Sequence, residues 1–424
     1  MSWTLGALPV LLLLMGFPIF IVLLTAATVT LVLYMSVPMV ALQQTMFASV
    51  NAYALLALPL FIFAGEIMDR GSIADRLVNL VRASIGRVPG KIPLTAVGAG
   101  AVFGAISGVG AASVATVGKV MHPSLKNAGY SDGFSSGLLV SVGAVGVILP
   151  PSVPMIIYAA AADQSIPRLY AAGIGPGLLI VAILALYCIW VGRKHPGDDS
   201  SPLRLSVLWS ALKRGVWAMG VPVVIIGGIY GGVFSPTEAA AVACLYAALA
   251  TVVCMRVLPL RGLLDAAIST VRFSAQILVI VACAGVFSWM ITVNQIPAQL
   301  VSWITAAEFS SWQLLFGINI LLLLIGCVLD PLSAILLLTP LLVPVITAAG
   351  VDPIHFGMIL TFNLAIGLFT LPFGINIFVM QSLFRIPLPV IYRGLMPFLY
   401  LYLFALILVT YVPAISQFGV DLLM

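Results

Sequence analysis

Charged side chains are scarce in this sequence. Only 7% of its 424 residues are Asp, Glu, Lys or Arg, whereas 62% are hydrophobic. A soluble domain carries roughly 25% charged residues. The deficit, with a mean hydropathy of +1.22, excludes a water-soluble fold and places the chain in a lipid bilayer. Period-two alternation is also missing from the apolar runs, which argues against a β-barrel and for an all-α polytopic membrane protein. At roughly 20 apolar residues per crossing, the length supplies about ten to twelve spans.

Further absences narrow the function. The three histidines, at 122, 195 and 355, are scattered singly, and the five cysteines (Cys188, Cys244, Cys254, Cys283, Cys327) show no CxxC spacing. Neither a zinc site nor a disulfide framework is indicated. A P-loop ending at Gly118-Lys119 would need Gly at 113, where Ser113 stands, and a hydroxyl residue at 120, where Val120 stands. GVGAAS lacks both a preceding strand and the last glycine of a dinucleotide fingerprint. With no ATP site legible, an ion gradient is the expected energy source and no cofactor is implied. The net charge of +5 sits in short loops, so it reads as a topology signal rather than a nucleic-acid footprint. No basic n-region precedes the first apolar run, which is therefore expected to be a retained span.

Basic residues gather at 70–91, 193–214 (including Arg204), 256–272 and 385–393. The positive-inside rule makes all four regions cytoplasmic. Segment 291–313 has no Lys or Arg and belongs outside. Span counting agrees from residue 50 onward if 92–128 and 314–349 are hairpins that enter and leave on one side. The run 5–40 is either one long helix or two short ones broken at Gly16-Phe17-Pro18.

An internal repeat organises the rest. Pro123 and Pro344, Gly129 and Gly350, Gly146 and Gly367, and Pro151 and Pro372 all share an offset of 221. Shared punctuation without gaps indicates two copies of one unit. Each copy reads as a span, an amphipathic arm, an interrupted hairpin and an interrupted span. The arm is basic in the first copy (69–91) and free of basic residues in the second (291–313), so the copies are expected to be inverted. The expected division is 1–50 scaffold, 51–160 first repeat, 161–270 scaffold helices with a cytoplasmic loop, 271–382 second repeat and 383–424 a C-terminal scaffold helix.

The interruptions carry the candidate site. GVILPPSVPMIIYA (146–159) and GLFTLPFG (367–374) put glycine and proline where a spanning helix would want neither. Such backbone is tolerated at membrane depth only where protein or a water-filled cavity satisfies it. The freed carbonyls can hold a cation, and the half-helix N-termini can face an anion. In the first hairpin, Ser107, Gly108, Gly110 and Ser113 combine close backbone approach with hydroxyls; a plain helix-packing face is the alternative. In the second, Asp330 is the sole acid of a long apolar run. It is a candidate site by the cost of burying it, and before Pro331 it is also a natural N-cap. Thr370 offers a hydroxyl and a carbonyl to a cation. Asn363 and Asn376 suit either a ligand or interhelical hydrogen bonds, and Ser152 either a ligand or a backbone cap. SPTE (235–238) reads as a capping box, hence structural. Asp69, Asp75 and Arg76 read as a solvated face.

SGVGAASVATVG (107–118), GVILPPSVPMIIY (146–158), GGVFSPTEAAAVACLYA (231–247), LDPLSAILLLTPLLVP (329–344) and GLFTLPFGINIF (367–378) together resemble the large membrane subunit of tripartite ATP-independent periplasmic (TRAP) transporters, over nearly the full length. The resemblance implies a multi-pass protein of the bacterial inner membrane, working as an elevator. It implies sodium-driven uptake of an organic anion, such as a dicarboxylate or sialic acid. The implied partners are a periplasmic substrate-binding protein and a small four-helix membrane subunit. Carried over by motif, an SGSS-like tip falls on Ser107-Gly108-Val109-Gly110, an IPPS element on Leu149-Pro150-Pro151-Ser152, and the acidic hairpin position on Asp330. Ser107, Ser152 and Asp330 are then the expected substrate-lining residues. Sodium is expected on Ser107, Gly108, Gly143, Gly146 and Pro150 in one copy and Gly326, Asp330, Gly367, Thr370 and Pro372 in the other, mostly through carbonyls. Two departures stand out: Val109-Gly110 removes hydroxyls from the tip, and Thr370-Leu371-Pro372 replaces the usual TPP. The rival readings are a one-component sodium–anion symporter, an intramembrane enzyme, which lacks a paired carboxylate or a deep Ser–His dyad, and a channel.

Overall fold

The computed structural model describes residues 3–35, 37–195 and 205–424; Arg204 and the loop expected around it lie outside the described residues. Every described regular element is a helix. That is what a chain without polar alternation must form in lipid, where each backbone N–H and C=O needs an internal partner.

The N-terminal run is two helices, α1 (Leu8–Leu14) and α2 (Ile19–Tyr34), broken where Gly16 takes a φ of +82° and Pro18 follows. Next, α3 (Met39–Val50) bends into α4 (Ala57–Arg70), with a 58° turn between them. The basic arm is α5 (Ile73–Ser84), and the hairpin after it is α6 (Lys91–Ser107) and α7 (Gly110–Asn127). The span carrying Pro150-Pro151 is broken into α8 (Asp132–Ile148) and α9 (Val153–Ala161). Three long helices follow: α10 (Ile166–Gly192), α11 (Leu205–Tyr230) and α12 (Pro236–Ala248). The capping box at α12 is complete, with Ser235 and Glu238 exchanging hydrogen bonds.

The chain then repeats the pattern. Helix α13 (Leu260–Val293) leads to the arm α14 (Ile296–Ala306), the hairpin α15 (Ser311–Gly326) and α16 (Pro331–Ala348), and a second broken span, α17 (Pro353–Gly367) and α18 (Ile375–Phe384). The chain ends with α19 (Leu388–Tyr411) and α20 (Ala414–Leu423), two helices where one was expected. The division expected at residue 270 falls inside the continuous helix α13. Among the described residues six helices are long and apolar enough to cross a membrane, or eight if each of two bent pairs is one span. The remaining apolar sequence is taken up by hairpins and half-helices.

The broken spans occupy the centre. Ser135 to Ile148 of α8 and Ile354 to Gly367 of α17 are buried without exception. Both helices start on side-chain caps 221 residues apart: Ser131 accepts from Phe134 N at 3.2 Å, and Asp352 from Ile354 N and His355 N at 2.7 and 3.0 Å. Each satisfies donors that a helix start leaves unpaired. The far halves cross over, so that α9 packs on α16 and α18 on α7. Two buried tyrosines pin this arrangement, Tyr158 Oη donating to Pro353 O and Tyr402 Oη to Ser141 O, each at 2.6 Å.

Candidate functional site

Each break lies against a hairpin through a glycine pair. A β-carbon on Gly146 would stand 2.5 Å from Gly104 Cα, and one on Gly367 would stand 2.4 Å from Gly326 O. Real β-carbons do not approach that closely, so α6 touches α8, and α15 touches α17, backbone to backbone. Gly104 and Gly326, each 41 or 42 residues before its partner, thereby join the glycines of the breaks.

At the first crossing the hairpin turns through Gly108, whose φ of +61° is a left-handed conformation that glycine adopts without steric cost. A β-carbon there would meet Val153 N at 3.0 Å and Pro151 O at 3.2 Å, so the hairpin tip abuts the break itself. Ser107 is buried, its Oγ 3.2 Å from Ser113 Oγ, and Ser113 Oγ donates to Val109 O at 3.2 Å. Ser152 is also buried and donates to Val147 O at 2.6 Å, which holds the end of α8. Ser107, Gly108, Gly146, Pro150 and Ser152 are thus gathered in one place, and Gly143 lies one turn before Gly146 on the same helix. The prolyl bond Pro150-Pro151 is cis.

The second crossing is built differently. Gly326 ends α15 against Gly367, and Leu371-Pro372, also cis, lies in the break that follows. Thr370 Oγ1 donates back to Ile366 O at 2.6 Å. Asp330 is half-buried at the hairpin tip, and its carboxylate accepts from Leu332 N and Ser333 N at 3.1 Å each and from Ser333 Oγ at 2.5 Å. It caps α16, and it lines neither of the cavities described next.

A cavity lies beside each hairpin, and α13 forms a wall of both. One, of about 200 Å³, is bounded by Ser107, Val109 and Ala112 of the first hairpin, Glu66 and Asp69 of α4, and Phe273 of α13. The other, of about 300 Å³, is bounded by Leu336 and Pro340 of the second hairpin, Ile157 and Ala160 of α9, and Ser288 and Trp289 of α13. Asp69 is solvent-exposed as expected, but it also accepts a hydrogen bond from Thr116 on α7. Glu66 pairs with Arg70 at 3.2 Å. Sequence spacing gave no sign that these acids would share a cavity with Ser107, because the contact joins helices about forty residues apart that no motif connects.

The donors at the first crossing are neutral oxygens, and the second adds the Asp330 carboxylate. Among the described residues no group of three or more His, Cys, Asp or Glu is gathered. Carbonyl and hydroxyl oxygens without thiolate or imidazole suit a hard cation. Buried oxygens without a partner remain near the breaks, on Asn363 and Asn376. Both residues also make the interhelical bonds that were the alternative reading, Asn363 Nδ2 to Asn319 Oδ1 at 2.6 Å and Asn376 Nδ2 to Val140 O at 3.2 Å.

Comparison with solved structures supports the fold. The chain superposes on the Alcanivorax borkumensis YdaH transporter with a TM-score of 0.65 at 15% identity, covering 98% of this chain and 99% of that one. On Neisseria gonorrhoeae MtrF the TM-score is 0.58 at 13% identity, covering 95% and 94%. Sequence relatives are nearer. The ectoine/5-hydroxyectoine TRAP transporter large permease protein of Ruegeria pomeroyi is 38% identical over 100% of this chain and 99% of its own. The C4-dicarboxylate TRAP transporter large permease protein of Pseudomonas aeruginosa is 35% identical over 92% of each. The isethionate TRAP transporter permease protein of Oleidesulfovibrio alaskensis is 36% identical over 96% of this chain, which spans 64% of that longer protein. Residues 6–415 match the family model described as the DctM component of the tripartite ATP-independent periplasmic transporter. A multi-pass helical chain with paired hairpins and broken spans, matched from end to end by these permeases, is a transporter and not an enzyme, and it belongs to the TRAP transporter family as its large permease subunit.

Proposed function

We propose that this subunit imports a small organic anion across the bacterial inner membrane, driven by sodium and supplied by a periplasmic binding protein, with a small four-helix subunit packed on its scaffold. The observation that carries the reading is the pair of glycine crossings, Gly104 on Gly146 and Gly326 on Gly367, each laying a hairpin against a broken helix. Broken helices at hairpin tips place carbonyls and helix ends where ions and anions are held in secondary transporters. Relatives are named for a C4-dicarboxylate, ectoine and isethionate, so a class of solute passes to this chain rather than one compound.

In this reading residues 51–160 and 271–382 are two inverted copies. Their hairpins and broken spans move together as an elevator against a scaffold of 1–50, 161–270 and 383–424. Ser107, Ser152 and Asp330 line the solute path. Sodium, carried as a co-substrate, is held by Ser107, Gly108, Gly143, Gly146 and Pro150 on one side and by Gly326, Asp330, Gly367, Thr370 and Pro372 on the other. Because the Asp330 carboxylate is engaged by its own helix, its role is to shape the tip and meet a solute hydroxyl or a sodium ion, not a carboxylate.

The test is uptake into proteoliposomes holding this chain, its small subunit and its binding protein, screened over carboxylates and sulfonates with and without an inward sodium gradient. Uptake that needs both sodium and the binding protein is the expected result. Uptake without the binding protein would move the mechanism to a one-component symporter, and uptake indifferent to sodium would remove the coupling ion.

A further inference from the structure

Asn376 lies on the second broken span, yet its side chain is buried in the first copy's crossing. The residue is fully buried on α18, and its backbone N–H donates to Leu368 O at 3.0 Å across the break. Its amide Nδ2 donates to Val140 O on α8 at 3.2 Å. That bond fixes which way the amide faces, because the flipped amide would set oxygen against oxygen. The amide oxygen is thereby turned away from Val140, and among the described residues no group hydrogen-bonds to it.

Two glycines bring helix backbone close to it. A β-carbon on Gly110, at the start of α7, would stand 3.4 Å from Asn376 Oδ1 and 3.2 Å from Gly143 O. A β-carbon on Gly143 would stand 2.9 Å from Gly110 O and 2.9 Å from Asn376 Nδ2. Gly143 O and Asn376 Oδ1 therefore both face the position left by the missing side chain of Gly110, and Gly110 O faces the position left by that of Gly143. These oxygens come from three helices, the consecutive α7 and α8 and the remote α18. The neighbouring side chains are apolar, Leu368 Cδ1 standing 2.8 Å from the same Gly110 position and Val114 Cγ2 2.3 Å from that of Gly143.

Leaving a buried amide oxygen without a partner is costly, and a bound ion would supply the missing partner. The start of α7 is the positive end of a helix dipole and opposes a cation, but the C-terminal ends of α6 and α17 arrive at the same junction with the opposite sign. Neutral oxygens with no acid suit a monovalent hard cation better than a divalent one, which draws carboxylates. We propose that Asn376 Oδ1 is a sodium ligand at the first crossing, so that the second copy completes the ion site of the first. The inference rests on the sodium coupling set out above. It adds a reason for that coupling to be cooperative: the ion cannot leave the first crossing without releasing the break of the second span.

The test is sodium-dependent thermal stabilisation of the full permease complex in detergent, titrated with NaCl against KCl at constant ionic strength, for the natural protein, Asn376→Ala and Asn376→Asp. A ligand that binds only the folded state stabilises it in proportion to its occupancy, so the titration reads affinity without transport. Asn376→Ala is expected to raise the half-saturating sodium concentration about tenfold, the loss of one charge-assisted contact. Asn376→Asp keeps an oxygen at the site and adds charge, and is expected to lower the half-saturating sodium concentration below the natural value. It also keeps the proposal testable if the alanine variant fails to fold, since a purely structural amide predicts no gain in sodium affinity on adding charge. An unchanged sodium midpoint in both variants, with the natural protein responding to sodium, overturns the proposal alone. A natural protein stabilised equally by sodium and potassium overturns the coupling reading and this inference with it.

Discussion

The two crossings share a backbone plan and differ in chemistry. At the first, a left-handed glycine turns the hairpin and the polar groups are hydroxyls, Ser107 and Ser113 on the hairpin and Ser152 on the break. At the second, the tip is a carboxylate that caps α16, and the break carries Thr370 bound to its own helix. The shared part is what close approach demands, a glycine on each partner, and this part is common to both copies. The differing part is what a ligand would meet.

The comparison is most severely tested at its shared part. Gly146→Val and Gly367→Val each drive a side chain into backbone, and overpacking of this kind costs about 1–3 kcal/mol or more. Both variants are expected to lower the melting temperature in detergent and to abolish uptake, whereas Gly317→Ala, with nothing within 4 Å of its added carbon, is expected to do neither. If only one of the two valine variants is harmful, the equivalence of the crossings fails.

The next effect belongs to the second tip. Asp330→Ala removes the cap of α16, expected to cost about 0.5–2 kcal/mol, together with uptake. Asp330→Asn keeps an acceptor for the backbone and separates the roles. Normal melting with lost uptake would assign the carboxylate charge to transport, and normal melting with normal uptake would leave the residue a cap.

Smaller changes are expected at the first tip. Ser152→Ala removes a buried donor to Val147 O, a bond worth about 0.5–1.5 kcal/mol, and its melting temperature should fall accordingly. The smallest loss of stability is expected for Ser107→Ala, at or below about 0.5 kcal/mol, because Ser113 keeps its own bond to Val109 O. If Ser107 lines the solute path, the concentration for half-maximal uptake rises in this variant while its melting temperature barely moves. A fall in melting temperature without a change in uptake would return Ser107 to a packing role.

The sequence by itself determined a good deal. Scarce charge and unbroken apolar runs required helices in lipid, because no other element satisfies its backbone there. The prolines and glycines at 146–151 and 367–374 required interrupted spans, and the structure ends helices at Ile148 and Gly367. The capping box at Ser235 was legible because it is local, needing only four residues. The N-terminal run could not be divided in this way, since Gly16 and Pro18 permit a break without enforcing one.

Only the tertiary structure decided which distant groups meet. The pairing of Gly104 with Gly146, the cavity shared by Ser107 and Glu66, and the reach of Asn376 into the other copy's crossing depend on helices packed across long stretches of chain. Periodicity and motifs report on neighbours within a few turns. Contacts between elements follow from the packing of whole surfaces, in which a missing β-carbon on one helix has meaning only beside the helix that fills the gap.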